Sequence, residues 1–174
     1  IRDEGIYSLE KGRTFYTSNA GLVELREEIG RFLKRRYDLS YDAREEILVT
    51  VGGSEAIDIA LRAMVDPGDE VLIPQPSYVS YEPCAVLAGA KPVIIELKNE
   101  NQFRLTAQEL EDAITDKTKI LILPFPNNPT GAIMERKDLE AIAEVIKKHD
   151  LFVLSDEIYS ELCYTEKHVS IANI

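Results

Sequence analysis

Cysteine, histidine and positive charge are all in short supply in this 174-residue chain, and each shortage removes a class of function. The 2 cysteines, Cys84 and Cys163, sit in apolar-rich stretches without a C-x-x-C spacing, which supports neither a disulfide framework nor a zinc site. Both read as reduced packing residues. The 2 histidines, His149 and His168, read as surface residues and not as ligands. Against 31 acidic side chains stand 20 basic ones, a net charge of −11. A phosphodiester backbone takes most of its affinity from positive charge, so nucleic acid is not an expected partner. No apolar run approaches the roughly 20 residues of a membrane span, and Ile1-Arg2-Asp3-Glu4 lacks the apolar core of a signal peptide. The expected setting is cytoplasmic. No internal repeat or low-complexity linker divides the chain, which begins without Met and ends at Ile174 in mid-phrase, as a piece of something longer would.

What is present is a globular composition, 45% hydrophobic and 29% charged, at a length that suits one sizeable domain. From Gly21 to Arg36, Leu22, Leu25, Ile29, Phe32 and Leu33 recur at helical spacing, predicting an amphipathic helix. Short runs rich in Val and Ile then alternate with longer helical patterns. The runs are Ile47 to Val51, Glu70 to Pro74, Pro92 to Leu97, Lys119 to Leu123 and Leu151 to Ser155. Helices are predicted at Ser54 to Met64, from the capping-box spacing Thr106 to Glu109 as far as Ile114, and at Lys137 to Lys148. Asp66-Pro67-Gly68-Asp69 makes a turn between helix and strand. Strand, crossover helix and strand in succession predict a single α/β domain, a three-layer α/β/α arrangement about a mainly parallel sheet.

Ligands of an open parallel sheet sit beyond the carboxyl ends of its strands, so the residues after each run are the ones to inspect. Gly52-Gly53-Ser54 brings flexible backbone and a hydroxyl to a helix amino terminus, where unpaired N–H groups favour an anion; a plain N-capped turn would read the same. Tyr78 follows the second run, as either a ligand-facing aromatic or packing at a helix start. Asn128-Pro129-Thr130-Gly131 follows the fourth and would serve equally as a β-turn. Asp156 follows the apolar Leu151-Phe152-Val153-Leu154, and so needs a positive or hydrogen-bonding partner, a structural ion pair being one solution.

Taken in order and register, the double glycine entering a helix, Tyr78, Asn128-Pro129-Thr130-Gly131 and Asp156-Glu157-Ile158-Tyr159 resemble the fold-type I pyridoxal-phosphate enzymes. The nearest likeness is to the class I and II aminotransferases. It runs from Phe15-Tyr16 and Gly21 with Leu25-Arg26, through Val51-Gly52-Gly53 and Asp66-Pro67-Gly68-Asp69-Glu70-Val71, to Tyr159. The resemblance implies pyridoxal 5'-phosphate as cofactor. It implies that Gly53, Ser54 and Glu55 offer donors to the cofactor phosphate, that Tyr78 stacks on its ring, and that Asp156 pairs with the ring nitrogen. Asn128 and Tyr159 would hydrogen-bond the ring's phenolic oxygen, and Tyr16 would reach the site of a neighbouring subunit in a homodimer.

The implied activity is amino-group transfer between an α-amino acid and a 2-oxo acid. Two departures from the family pattern bear on it. The Schiff-base lysine, in a Ser-x-x-Lys context, has no counterpart, and neither has the arginine that grips the substrate carboxylate. Lys167, within Thr165-Glu166-Lys167-His168, lacks that motif and reads as solvated. The chain is thus expected to supply the cofactor cradle and to be inactive alone. A carbon–sulfur β-lyase would share this cradle, and so would the ligand-sensing domain of a transcription regulator.

Overall fold

The computed structural model describes residues 1–164 and 167–174, so Thr165 and Glu166 of the Thr165-to-His168 stretch lie outside the described residues. The chain divides into two compact units, Ile1–Thr50 and Val51–Ile174. In the first, α1 (Arg2–Glu10) has no buried residue, and α2 (Val23–Tyr37) is the amphipathic helix that the spacing of Leu25, Ile29, Phe32 and Leu33 predicts. Asp38 ends α2 in the left-handed conformation, and Lys34, Arg35 and Arg36 lie in its last turn, where cations offset the helix dipole. Gly21 has φ +95°, and a Cβ there would fall 2.6 Å from Val49 Cβ. A side chain at this position would therefore meet both strain and a clash.

The second unit is built on four parallel strands, β1 (Glu70–Gln75), β2 (Lys91–Glu96), β3 (Thr118–Leu123) and β4 (Phe152–Ser155), in the order β2-β1-β3-β4. The helices in this unit are α3 (Gly53–Met64), α4 (Tyr81–Ala88), α5 (Ala107–Ala113) and α6 (Arg136–Lys148). Side chains alternate across a strand, and here each face has its own core. Val71, Ile73, Ile120 and Ile122 pack with Ile57 and Leu61 of α3 and with Tyr81 and Ala85 of α4. Leu72, Leu121 and Leu123 pack with Leu110 of α5 and with Leu139 and Ile142 of α6. This is the expected three-layer arrangement. The central strands are apolar on both faces because both faces are covered, as parallel sheets require.

Helix starts follow local chemistry. The Thr106 side chain accepts from the Glu109 amide while the Glu109 carboxylate accepts from the Thr106 amide, completing the capping box that the sequence predicts. Ile47–Val51 departs from expectation. It pairs with no strand of the sheet; its Val49 amide donates to Ala20 O. An apolar, β-branched run satisfies the side-chain requirement of a strand, but a strand also needs a neighbouring ladder for its backbone. His168 is a second correction. Its side chain is only 8% exposed and lies 2.8 Å from Glu157, so it is not a surface residue. His149 is half-buried beside Glu111, Lys167 is exposed as expected, and burial raises the Cys84 thiol above its ordinary range, which suits a packing residue. Among the described residues no helix is long and apolar enough to cross a membrane.

At the amino end of β1, Glu70 is buried and its carboxylate accepts from Lys91 Nζ (2.8 Å) and Thr115 Oγ1 (2.6 Å). These bonds, Lys91 first, outweigh desolvation and hold the carboxyl below the usual glutamate range. A depressed carboxyl stabilises the fold above the unfolded-state value of about 4.3, and that contribution disappears as pH falls through the lower folded value. Glu70→Gln should therefore lower the urea midpoint at pH 7. The gap to the parent chain should close as the pH is taken below about 4, which urea titrations across pH 3 to 7 will show.

Candidate functional site

The carboxyl ends of β1, β3 and β4 and the amino end of α3 surround a cavity of about 580 Å³. Gly53, Ser54, Tyr78, Asn128, Asp156 and Tyr159 all line it. Residues spread over more than a hundred positions of sequence meet here because parallel strands, joined by crossovers, all point the same way.

Each side chain is placed by a local device. Gly52 takes φ +85° at the N-cap of α3, turning the backbone so that Gly53 and Ser54 open the helix on the cavity wall. The first-turn amides of a helix lack intrahelical acceptors, and the dipole places about half a positive charge there. Ser54 Oγ lies 3.2 Å from the Tyr78 hydroxyl. Hydrogen bonds from Ser54 and then Ser80 draw the Tyr78 phenol below its usual range. The Tyr78 ring meets that of Tyr81 edge to face, with centroids 5.6 Å apart at 82°. Asn127 is buried, and its Oδ1 accepts from the Thr130 amide (3.4 Å) and hydroxyl (3.1 Å). That turn presents the next residue, Asn128, to the cavity.

Asp156 is held in the cavity by backbone and side chain alike. Its amide donates to Leu123 O (3.0 Å), continuing the β3–β4 ladder one residue past the strand. Oδ2 accepts from the Tyr81 hydroxyl at 2.8 Å, and Oδ1 from the Ile158 amide at 3.2 Å. Tyr81 is 3% exposed; burial first, and then the Asp156 charge, push its phenol well above the ordinary range. It is therefore a neutral donor at any working pH. Sequence reasoning missed Tyr81, although it stands three residues after Tyr78 in Tyr78-Val79-Ser80-Tyr81, across a turn in which the Tyr81 amide donates to Tyr78 O.

Two expected positions stand apart. Glu55 is not among the cavity-lining residues, because its carboxylate turns back to accept from the Val51 amide and closes the helix start. Its side chain is thus an acceptor already in use, and the donor expected of this position is its backbone amide. Tyr16 belongs to the first unit, where its side chain is fully exposed. The lining residues include neither lysine nor arginine. Positive potential for an anion comes from the α3 amino terminus, while Asp156 is a carboxylate without a cationic partner among the hydrogen bonds described for it. Such a set suits a ligand with an anionic group, a flat apolar body for Tyr78, and a protonated nitrogen for Asp156. Pyridoxal phosphate has all three.

Comparison with known proteins agrees with this chemistry. The family model described as Aminotransferase class I and II matches residues 2–174. The chain is 45% identical over 175 residues to an aspartate aminotransferase of Pyrococcus abyssi, covering 100% of this chain and 45% of the relative. It is 43% identical over 175 residues to aromatic-amino-acid aminotransferase 2 of Thermococcus litoralis, again covering 100% and 45%. The crystal structure of an aromatic aminotransferase from Pyrococcus horikoshii OT3 superposes with a TM-score of 0.97 at 44% identity, over 99% of this chain and 47% of that one. The chain thus spans about half the length of these relatives. Pyridoxal phosphate is the cofactor of the family. With the sheet, the Asn128-to-Gly131 turn and the Asp156 carboxylate in the family's order, and a match over nearly its whole length, the chain belongs to the class I and II aminotransferases.

Proposed function

We propose that residues 1–174 form the cofactor-binding part of a pyridoxal-phosphate aminotransferase whose whole chain exchanges an amino group between an α-amino acid and a 2-oxo acid. The observation that carries this reading is Asp156: a carboxylate held by Tyr81 and the Ile158 amide, facing a cavity that also holds the α3 amino terminus. The cofactor, when bound, supplies an electron-accepting ring. The chain's own residues bind and orient it. The amides of Gly53 and Ser54 and the Ser54 hydroxyl take the phosphate, Tyr78 lies against the ring, and Asn128 and Tyr159 donate to its phenolic oxygen. Asp156 keeps the ring nitrogen protonated, and Tyr81 keeps Asp156 in place.

The two units together, on this reading, belong to the large domain of the whole enzyme, which acts as a homodimer in which Tyr16 serves the neighbouring site. The exposed pair Phe15 (68%) and Tyr16 (103%) suits a partner-facing segment. Since no lysine lines the cavity, the 174 residues alone bind the cofactor reversibly and complete no transamination.

Three measurements test the proposal. Asp156→Ala should weaken reversible pyridoxal-phosphate binding, followed by absorbance, by about ten- to a hundredfold, since a charge-assisted hydrogen bond is worth roughly 1.5 to 3 kcal/mol. Unchanged affinity would mean that the cofactor is seated elsewhere. Borohydride reduction with cofactor and peptide mapping should find scattered, substoichiometric labelling of surface lysines; one stoichiometric site at the cavity would contradict the assignment. In the full-length enzyme, mixing Tyr16→Phe and Asp156→Ala subunits should restore activity in hybrids that retain one unmutated site, and failure under exchanging conditions counts against shared sites.

A further inference from the structure

Asp156 and Glu157 are successive carboxylates with different surroundings. Asp156 bonds to Tyr81, part of the core on the α3 and α4 side of the sheet. Glu157 also borders the cavity, but its carboxylate is turned to another set of partners. Oε1 accepts from Ser155 Oγ (2.8 Å) and Ser170 Oγ (2.7 Å), and Oε2 lies 2.8 Å from His168 Nε2. Burial alone would raise this carboxyl; the donors, His168 foremost, outweigh it and hold it below the ordinary range. An ionised carboxylate can only accept, so the imidazole Nε2 carries the proton.

The partners are themselves anchored. Ser170 is 4% exposed, and its hydroxyl also accepts from the Ala172 amide. Val169 and Ile171 pack on the core of Leu72, Leu121 and Leu139. Glu157 therefore ties the end of β4 to a segment bedded on the α5 and α6 side of the sheet. Without it, Asp156 would be followed by a loop whose next residue, Ile158, is 75% exposed.

We propose that Glu157 is a positioning residue for Asp156: by locking the backbone directly after it to Ser155, His168 and Ser170, Glu157 fixes the direction in which the Asp156 carboxylate meets the cofactor's ring nitrogen. The proposal rests on the reading of Asp156 given above. Recognition of a charged atom by one carboxylate depends on geometry that the supporting shell must hold, and the Glu157 network is that shell.

The test compares two probes on the same chain. One is pyridoxal phosphate; the other is its deaza analogue, with carbon in place of the ring nitrogen, to which Asp156 has nothing to pair. Glu157→Gln should weaken pyridoxal phosphate by about tenfold and leave the analogue unchanged. Ser170→Ala, which removes one donor and keeps the fold's apolar contacts, should show the same selectivity with a smaller loss, and it carries the test should Glu157→Gln not fold. Equal losses for both probes would mean general support of the cavity, and no loss for either would mean no coupling to Asp156; each overturns the proposal. Asp156→Asn is the control. If it fails to discriminate the probes, the cofactor reading itself falls and the role of Glu157 with it, whereas discrimination by Asp156→Asn without discrimination by the Glu157 and Ser170 variants rejects the positioning role alone.

Discussion

Parallel pairing is the constraint on which the site depends. A parallel strand cannot be joined to its neighbour by a tight turn, so β2, β3 and β4 are each reached by a crossover, and all four carboxyl ends lie at one edge. Helices cover both faces, which requires the middles of the central strands β1 and β3 to be apolar: Val71, Leu72, Ile120, Leu121 and Ile122 are all fully buried. Polar chemistry for a site is thereby left to the residues just beyond the strands. Tyr78, Asn128 and Asp156 occupy such positions, after β1, β3 and β4 respectively.

Charge is disposed in keeping with that geometry. Away from the cavity several acids are matched to cations: Glu70 with Lys91, Asp69 with Lys119, and Glu135 and Asp138 with Arg104. In the cavity Asp156 is held by neutral donors, a phenol and an amide. A carboxylate paired to a cation is already neutralised, whereas one held by neutral donors keeps its charge available to a ligand. Glu157 differs in another way: its three bonds use its acceptors internally.

Much of the second unit could be read from residue patterns. The four strands lie within a residue of the apolar runs at either end, and the Thr106 and Glu109 box works because its two bonds are local and need no distant partner. Features that depend on partners were less legible. Ile47–Val51 has the side chains of a strand and no ladder in this sheet. A helix start near Tyr78 is legible, but the extent of α4 is not, because Tyr81-Glu82-Pro83-Cys84 carries a proline in its first turn and no clear apolar stripe. His168 reads as polar and therefore exposed until Glu157 appears beside it, a contact across 11 positions that no periodicity announces.

Tyr81 and Glu157 were missed for a common reason: sequence reasoning finds residues that could meet a ligand more readily than those that hold the first set still. Yet the local pattern does contain the distinction. Alternation along β4 assigns Leu154 to one core and Val153 to the other, and the backbone stays extended in hydrogen bonding as far as the Asp156 amide. Carried past Ser155, a period of two sends Asp156 to the Tyr81 side and Glu157 to the His168 side. Two adjacent acids at the end of a buried strand are therefore not a redundant pair. The same alternation that divides the apolar residues between two cores separates the acid that can serve a ligand from the acid that secures the chain.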